Sequence, residues 1–600
     1  MREELHLEDI LQDRAVEDEL MEVPLTARMF KLFLGGAFIL FAVVITQVFL
    51  IGARRHTLYE RSARANMFYT EIEPAPRGVI VDRNGELLVD NRSSVKAFVS
   101  MRFLPSNAAE RNEALRDISE VTGMPAEEVT KRLKEHDWRL GRLLLVRDVP
   151  HDMLVELTAR HIPGVEIEPG FARVPAHPFA ISHITGYVGL ADERAIEEGA
   201  SAEEEVGKTG LEKQYDALLR GTQGTSVTVL NAREEVQGTR DVEKPREGRR
   251  LETFIDKGLQ EYVYDRMAEQ ISFLGARGGV GIVMDAEGGE VRALISVPSF
   301  KVDNVQAYLS GAGDPLFNRA VSGLYNPGST IKPLVAIAAL EEGVMTPEHE
   351  LYSSGQLVVE NPYSPGNPSI FGDWKAHGWV NMRAALARSS NVYFYIVGGG
   401  FENEKGLGIS RLRLWWSTFG LGKKTGIDLP AEAAGFLPSP GWKEKTGGVW
   451  RVGDTYNVTI GQGAFTVTPL ELINYIAAIA DGGVFYKPRI AVESPEALQS
   501  VVRLATSTLA VVREGMREAV TSPLGTAHLL NFLPLEAAAK TGSAEVTKSR
   551  TNALVVGYAP YDKPEIVFLF MIEDAREGGS NVVPVAHDVL MWYYERYKKS

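Results

Sequence analysis

The sequence predicts an α+β chain in three parts: an N-terminal transmembrane helix, an elongated, mixed, β-rich pedestal domain, and a C-terminal domain of helices flanking an antiparallel sheet. Three observations predict it. The chain has 600 residues, and single cores rarely grow past about 250–300. One stretch, Leu32 to Ile51, runs twenty residues without a charge. Beyond residue 250, short apolar runs joined by Gly-rich turns alternate with runs of helical period. The composition is that of a globular protein, 44% hydrophobic and 24% charged. A net charge of -15 argues against a nucleic-acid partner. With no cysteine, a disulfide, a thiolate nucleophile and a Cys-ligated metal are all excluded.

Residues 1–31 are acidic and polar and read as a cytoplasmic tail, with Leu5 to Leu20 either helical or solvated and disordered. Residues 32–51 are the anchor. At 1.5 Å rise per residue they span about 30 Å, the thickness of a bilayer's hydrocarbon. A cleaved signal has a shorter core of about 7–15 residues and a small-residue cleavage site; here Gly52-Ala53-Arg54-Arg55 follows. The flanking charge does not place the C-terminal bulk outside and leans the other way, because Arg54, Arg55, Arg61 and Arg64 outnumber Arg28 and Lys31.

Residues 52–250 form the pedestal, with a small inserted lobe at about 105–170. Arg77 to Val89 reads as a hairpin, two apolar strands about Asn84-Gly85. Helical spacing marks Ala108 to Val121 and Ala126 to Leu133, and His177 to Gly189 reads as strand and turn. Lys208-Thr209-Gly210 imitates a phosphate loop, but no upstream glycine or feeding strand supports one. A helix instead runs from there towards Arg220, and residues 222–250 are strand and charged loop. Residues 251–600 form the last domain. It opens with the amphipathic helix Lys257 to Phe273, then strands Val280 to Met284 and Glu290 to Ser296.

Chemistry concentrates in three short segments. Tyr325-Asn326-Pro327-Gly328 is a turn that delivers Ser329 to the start of an apolar helix, which Pro333 helps locate. The helix dipole favours negative charge developing on the Ser329 oxygen. Lys332, three residues on, shares that face, and a buried lysine there loses proton affinity and becomes a general base. Ser389-Ser390-Asn391 is a polar triplet between two apolar helical runs, the signature of a loop pointing into a cleft. Ser389 would relay a proton and Asn391 would hold a substrate amide. Lys540-Thr541-Gly542-Ser543 lies on a strand, where Gly542 lets a substrate backbone approach. Lys540 and Thr541 would contact a carboxylate, and the Ser543 and Ser329 amides would make an oxyanion hole. Alone, each segment is a cap, a loop or a strand-edge turn. In this order they form the signature of acyl-serine enzymes that recognise penicillins.

The chain resembles the class B penicillin-binding proteins, the monofunctional D,D-transpeptidases of peptidoglycan. Arg77-Gly78 with Asp82-Arg83-Asn84-Gly85, and Gly210-Leu211-Glu212 with Tyr215, look like the family's pedestal motifs. Asp373-Trp374-Lys375 with His377-Gly378, Trp450, Gly461-Gln462-Gly463 and Val467-Thr468-Pro469-Leu470 are similar to the elongation-type branch, penicillin-binding protein 2. The resemblance implies stem peptides ending in D-Ala-D-Ala as substrate, β-lactams as inhibitors that acylate Ser329, and no cofactor. It implies a SEDS-type glycosyltransferase and other elongation-complex membrane proteins as partners. It also implies a single-pass protein of the inner membrane with its catalytic domain on the periplasmic side. Two departures stand out. Some relatives carry a metal held by Asp, His and Cys, and here Asp373 and His377 are present without any cysteine. Val174-Pro175 stands where relatives often have Tyr-Pro. The alternatives are a septal transpeptidase of the same family, a scaffold activating the glycosyltransferase, and a β-lactamase or penicillin sensor. For the β-lactamase, Glu471 with Asn474 would be the water-activating decoy, and both read as helix surface.

Overall fold

The computed structural model describes residues 27–54, 68–101, 103–138, 142–230, 236–360, 366–496, 498–547, 550–575 and 578–599. The expected tail up to residue 26 lies outside them, as do Arg55, Arg61 and Arg64. The chain divides into two compact units, Met1–Glu73 with Gly224–Lys244, and Pro74–Gln223 with Pro245–Ser600.

In the first unit, the anchor is one helix, Ala27–Arg54, with Ala27–Leu50 long and apolar enough to cross a membrane. Its side chains are outward and unpacked, Leu32 and Phe33 among them. The Thr46 hydroxyl donates to the Ala42 carbonyl one turn back (2.7 Å), so it needs no partner in hydrocarbon. The same unit holds an antiparallel sheet, with Gly224–Leu230 between Phe68–Glu73 and Val236–Glu243.

In the second unit, the hairpin forms as the Asn-Gly signal implies: Ile80–Val81 pairs antiparallel with Leu87–Val99. Asp82 shapes the turn by accepting from the amides of Asn84 and Glu86, both at 2.8 Å. Leu87–Val99 also pairs with Val165–Pro175 and Leu143–Val146. Helices Ala108–Thr122, Ala126–Glu135 and His151–Arg160 enclose a small separate core around Ile118, Val129 and Leu157.

Two pedestal motifs distant in sequence lock together. Buried Arg77 donates to Glu212 (3.0 Å) and Asp216 (2.8 Å), and Arg173 donates to the other Glu212 oxygen (2.8 Å). The strand and turn expected over His177 to Gly189 needs correction, because Ser182–Thr185 is a helical turn. Its Ile181 and Ile184 are both buried, a helical spacing within too few residues to read as periodic. The His177 ring accepts from the Ala180 amide (2.9 Å), closing the turn locally.

The C-terminal half is built on a five-stranded antiparallel sheet in the order Val291–Val297, Gly278–Asp285, Ile566–Glu573, Arg550–Ala559, Ala538–Thr547. Both faces are buried, so its strands read as unbroken apolar runs rather than alternating ones. Phe568, Phe570 and Val555 pack with the helices Lys257–Leu274 and Val583–Tyr597. Leu554, Leu569 and Met571 face the opposite layer, which includes Lys332–Glu341, Asn391–Gly399 and Pro469–Ala480. Ala538–Thr547, carrying Lys540 to Ser543, is an edge strand. Glu471 and Asn474 are not on a helix surface as expected: Pro469–Ala480 is buried on every side. The Glu471 carboxylate, 2% exposed, caps its own helix by accepting from Thr468 N (3.0 Å), and takes Gly435 N (2.8 Å) from a neighbouring loop.

Candidate active site

Ser329 sits in a single 3-10 turn, Gly328–Ile331, that runs into the helix Lys332–Glu341 with Pro333 in its first turn. It therefore precedes the α-helix proper rather than opening it. The turn exists because Gly328 adopts φ +53°, a left-handed value that costs glycine nothing. Backbones crowd here. A Cβ on Gly461 would stand 2.2 Å from Gly328 O, and one on Gly542 would stand 2.7 Å from Thr330 Cγ2. Edge strand, serine turn and Gly461 loop thus pack with almost no side chain between them.

Lys332 is fully buried, and its Nζ donates to the Ser389 carbonyl (2.8 Å) and to Asn391 Oδ1 (2.7 Å). Burial lowers its amine to about 7, partly opposed by the Asp373 charge. Ser389 ends the helix Met382–Arg388 at φ +59°, unusual for a serine, which turns its carbonyl towards Lys332. Its hydroxyl lies between two amines, 2.7 Å from Lys540 Nζ and 3.4 Å from Lys332 Nζ. Ser390 caps the next helix by accepting from Tyr393 N (3.4 Å).

Lys540 is also fully buried, and its Nζ donates to Thr541 O (2.8 Å) besides Ser389. Burial, then the nearby charge of Lys332, holds its amine well below the usual lysine range. Thr541 donates to Thr526 Oγ1 (2.7 Å). Ser543 is fixed on two sides: its hydroxyl accepts from Gly579 N (3.1 Å) and its carbonyl from Gln462 Nε2 (3.0 Å).

Ser329, Ser389, Asn391, Thr541 and Ser543 open onto one cleft of about 920 Å³. Sequence reasoning gave no role there to Tyr395, Asn457, Thr526 or Glu545, which share the lining. Each comes from a different segment, and no local pattern marks it. Asp373 and His377 do meet, with His377 Nε2 3.5 Å from Asp373 Oδ1. They do not fit a resident zinc ion. Zinc takes three or four protein ligands, and among the described residues no third His, Asp or Glu joins them. The Asp373 oxygens are also already occupied by N–H and O–H donors.

A serine hydroxyl at a helix entrance, a lysine amine near neutrality and a second hydroxyl shared with another lysine can perform covalent acyl transfer. The class so defined is that of serine acyltransferases built on an antiparallel sheet. Comparison with known proteins narrows it. The family model described as penicillin binding protein transpeptidase domain matches residues 279–591, and that of the penicillin-binding protein dimerisation domain matches 72–253. The chain is 31% identical to the peptidoglycan D,D-transpeptidase MrdA of Acinetobacter baumannii, over 92% of this chain and 86% of that one. Its fold is similar to Helicobacter pylori PBP2 in complex with MreC, with TM-score 0.74 and 28% identity, covering 88% of this chain and 100% of that one. A structure described as coordinating polymerization and crosslinking in a peptidoglycan synthase complex matches at TM-score 0.67 and 28% identity, over 96% of this chain and 100% of that one. The chain belongs to the penicillin-binding protein transpeptidase family. It is a serine-type transpeptidase with a dimerisation-type pedestal and, among the described residues, one N-terminal helix long and apolar enough to cross a membrane.

Proposed function

We propose that this chain is the peptidoglycan D,D-transpeptidase of cell-wall elongation, crosslinking stem peptides through an acyl-serine at Ser329. The observation that carries the reading is the Ser389 hydroxyl held between the amines of Lys332 and Lys540. Lys332, its amine lowered to about 7 by burial, takes the Ser329 proton in its neutral form as the oxygen attacks the carbonyl between the two D-alanines. The amides of Ser329 and Ser543 receive the oxyanion. Ser389, backed by Lys540, returns a proton to the leaving D-alanine amine, and Asn391 orients the stem amide. Thr541 and Gly542 take the terminal carboxylate, whose charge restores protonation to Lys540. A neighbouring stem's amine then attacks the acyl-enzyme and the proton path runs in reverse.

The pedestal–transpeptidase boundary falls near residue 250, and the bulk of the chain lies outside the cytoplasmic membrane, where crosslinking takes place. Its partners are a SEDS-type glycosyltransferase and other elongation-complex membrane proteins, reached through the anchor and pedestal. Fluorescent penicillin tests the site. The detergent-solubilised parent should label stably and Ser329→Ala should not; an equally labelled variant would remove Ser329 from the reaction.

A further inference from the structure

Asp373 accepts five hydrogen bonds beside the cleft, yet the acyl-transfer steps above do not use it. Its Oδ2 accepts from Asn391 N (2.8 Å), Ser390 Oγ (2.9 Å), Val392 N (3.0 Å) and Ser353 Oγ (3.2 Å). Its Oδ1 accepts from Trp374 N (2.9 Å). We infer that Asp373 is a positioning residue for the transpeptidase reaction, clamping the Ser389-Ser390-Asn391 loop and fixing the electrostatic setting of the Lys332 amine. The inference rests on the reading above and deepens it.

The clamp follows from geometry. Three of the five donors belong to Ser390, Asn391 and Val392, the start of the helix Asn391–Gly399. Asp373 thus satisfies amides that the first helical turn leaves without partners. The residues flanking Ser390 are the ones that receive Lys332: the Ser389 carbonyl and Asn391 Oδ1. If the clamp loosens, both acceptors of that amine move together.

The electrostatic half follows from what surrounds Lys332. The charged groups facing it are Lys540 on the edge strand and Asp373 on the loop after Ser369–Gly372. The helices bearing Ser389 and Asn391 present neutral acceptors, and Phe394 adds its ring at 5.5 Å. Asp373 is therefore the negative charge set against the buried Lys332 amine. Burial alone would raise its carboxyl. His377, the Lys332 charge and the Asn391 and Val392 amides outweigh that and hold it well below the usual carboxylate range. It stays ionised throughout the working pH.

The test is the second-order rate of acylation by fluorescent penicillin across about pH 5 to 9, with the full chain in detergent. Asp373→Asn should lower the plateau about a hundredfold. It should also move the acid limb down by about one pH unit, since losing the negative charge lowers the Lys332 amine further. Ser353→Ala removes a donor but no charge and should leave the limb in place. A lowered plateau with an unmoved or raised limb in Asp373→Asn would reduce Asp373 to a structural residue and overturn the inference. Asp373→Glu carries the test if the Asn variant does not fold. Its charge is kept and its oxygens displaced, so a plateau loss of at least about tenfold with an unmoved limb is expected; a parent-like plateau overturns the clamp. Loss of parental acylation on adding a chelator would make Asp373 and His377 metal ligands and also overturn it. Failure of Ser329→Ala to silence the parent sinks the transpeptidase reading and this inference with it. Labelling at Ser329 with an Asp373→Asn profile matching the parent sinks this inference alone.

Discussion

Two buried ammonium groups cannot share one serine hydroxyl cheaply. Lys332 and Lys540 both approach Ser389 Oγ with their side chains out of water, so each disfavours the other's proton. Lys332 must be neutral to accept the Ser329 proton. Its folded value of about 7 lies below the ordinary lysine value of 10.5. The acylation rate should therefore rise with pH through about 7, and a profile flat from about pH 6 to 8 would remove Lys332 as base. The sign for stability follows from the same group. Between about 7 and 10.5 the unfolded chain holds the proton that the folded chain has released, so this lysine's contribution to stability grows with pH across that window. The residues of this constellation were legible in the sequence because each sits in a short local pattern: a turn before an apolar helix, a polar triplet between helices, a glycine on a strand. Thr526 and Asp373 were not legible in these roles. Their partners, Thr541 and the Asn391 helix, lie 15 and 18 residues away, and only the fold brings them together.

At the scale of elements, close backbone packing shapes the cleft. Gly461 adopts φ +76° and faces Gly328 with no room for a methyl group. Gly461→Ala should push the Ser329 turn off the edge strand, costing about 1–3 kcal/mol of stability and most β-lactam acylation. Parent-like labelling and melting would show that the turn tolerates the shift. In the pedestal, the Arg77–Glu212–Arg173 cluster joins a strand hairpin to a short helix inside the protein. Arg77→Ala leaves Glu212 paired with Arg173 alone, one buried carboxylate oxygen losing its donor, and should cost about 1–3 kcal/mol, read as a lower denaturation midpoint with Ser329 labelling intact at low temperature. An unchanged midpoint would show that water replaces the arginine. Elements were legible where their period repeated, as in Lys257–Leu274 and Ala108–Thr122, or where an unbroken apolar run marked a buried strand, as in Gly278–Asp285. They were missed where length or context defeated periodicity. Ser182–Thr185 is one turn long, and the polar Glu471 lies inside because its carboxylate is spent on backbone amides.

For the whole molecule, the question is which side of the membrane holds the cleft. The arginines after Leu32–Ile51 pull against an outward C-terminal domain. The chemistry pulls the other way, because an acyl-serine site for crosslinking wall peptides has a substrate only outside the membrane. Long domains translocate largely regardless of nearby charge, so the flank does not oppose the outside placement that the proposed function requires. The chain offers an unusually clean test, since it contains no cysteine. Ser310, exposed on a loop of the C-terminal half, can become the chain's single thiol without disturbing the core. In cells with a permeabilised outer envelope and intact cytoplasmic membrane, a membrane-impermeant maleimide should label Ser310→Cys and spare Glu17→Cys in the tail. Labelling of the tail variant alone would put the cleft in the cytoplasm, with no peptidoglycan to crosslink. The elongation reading would then fall even if Ser329 still took penicillin in detergent.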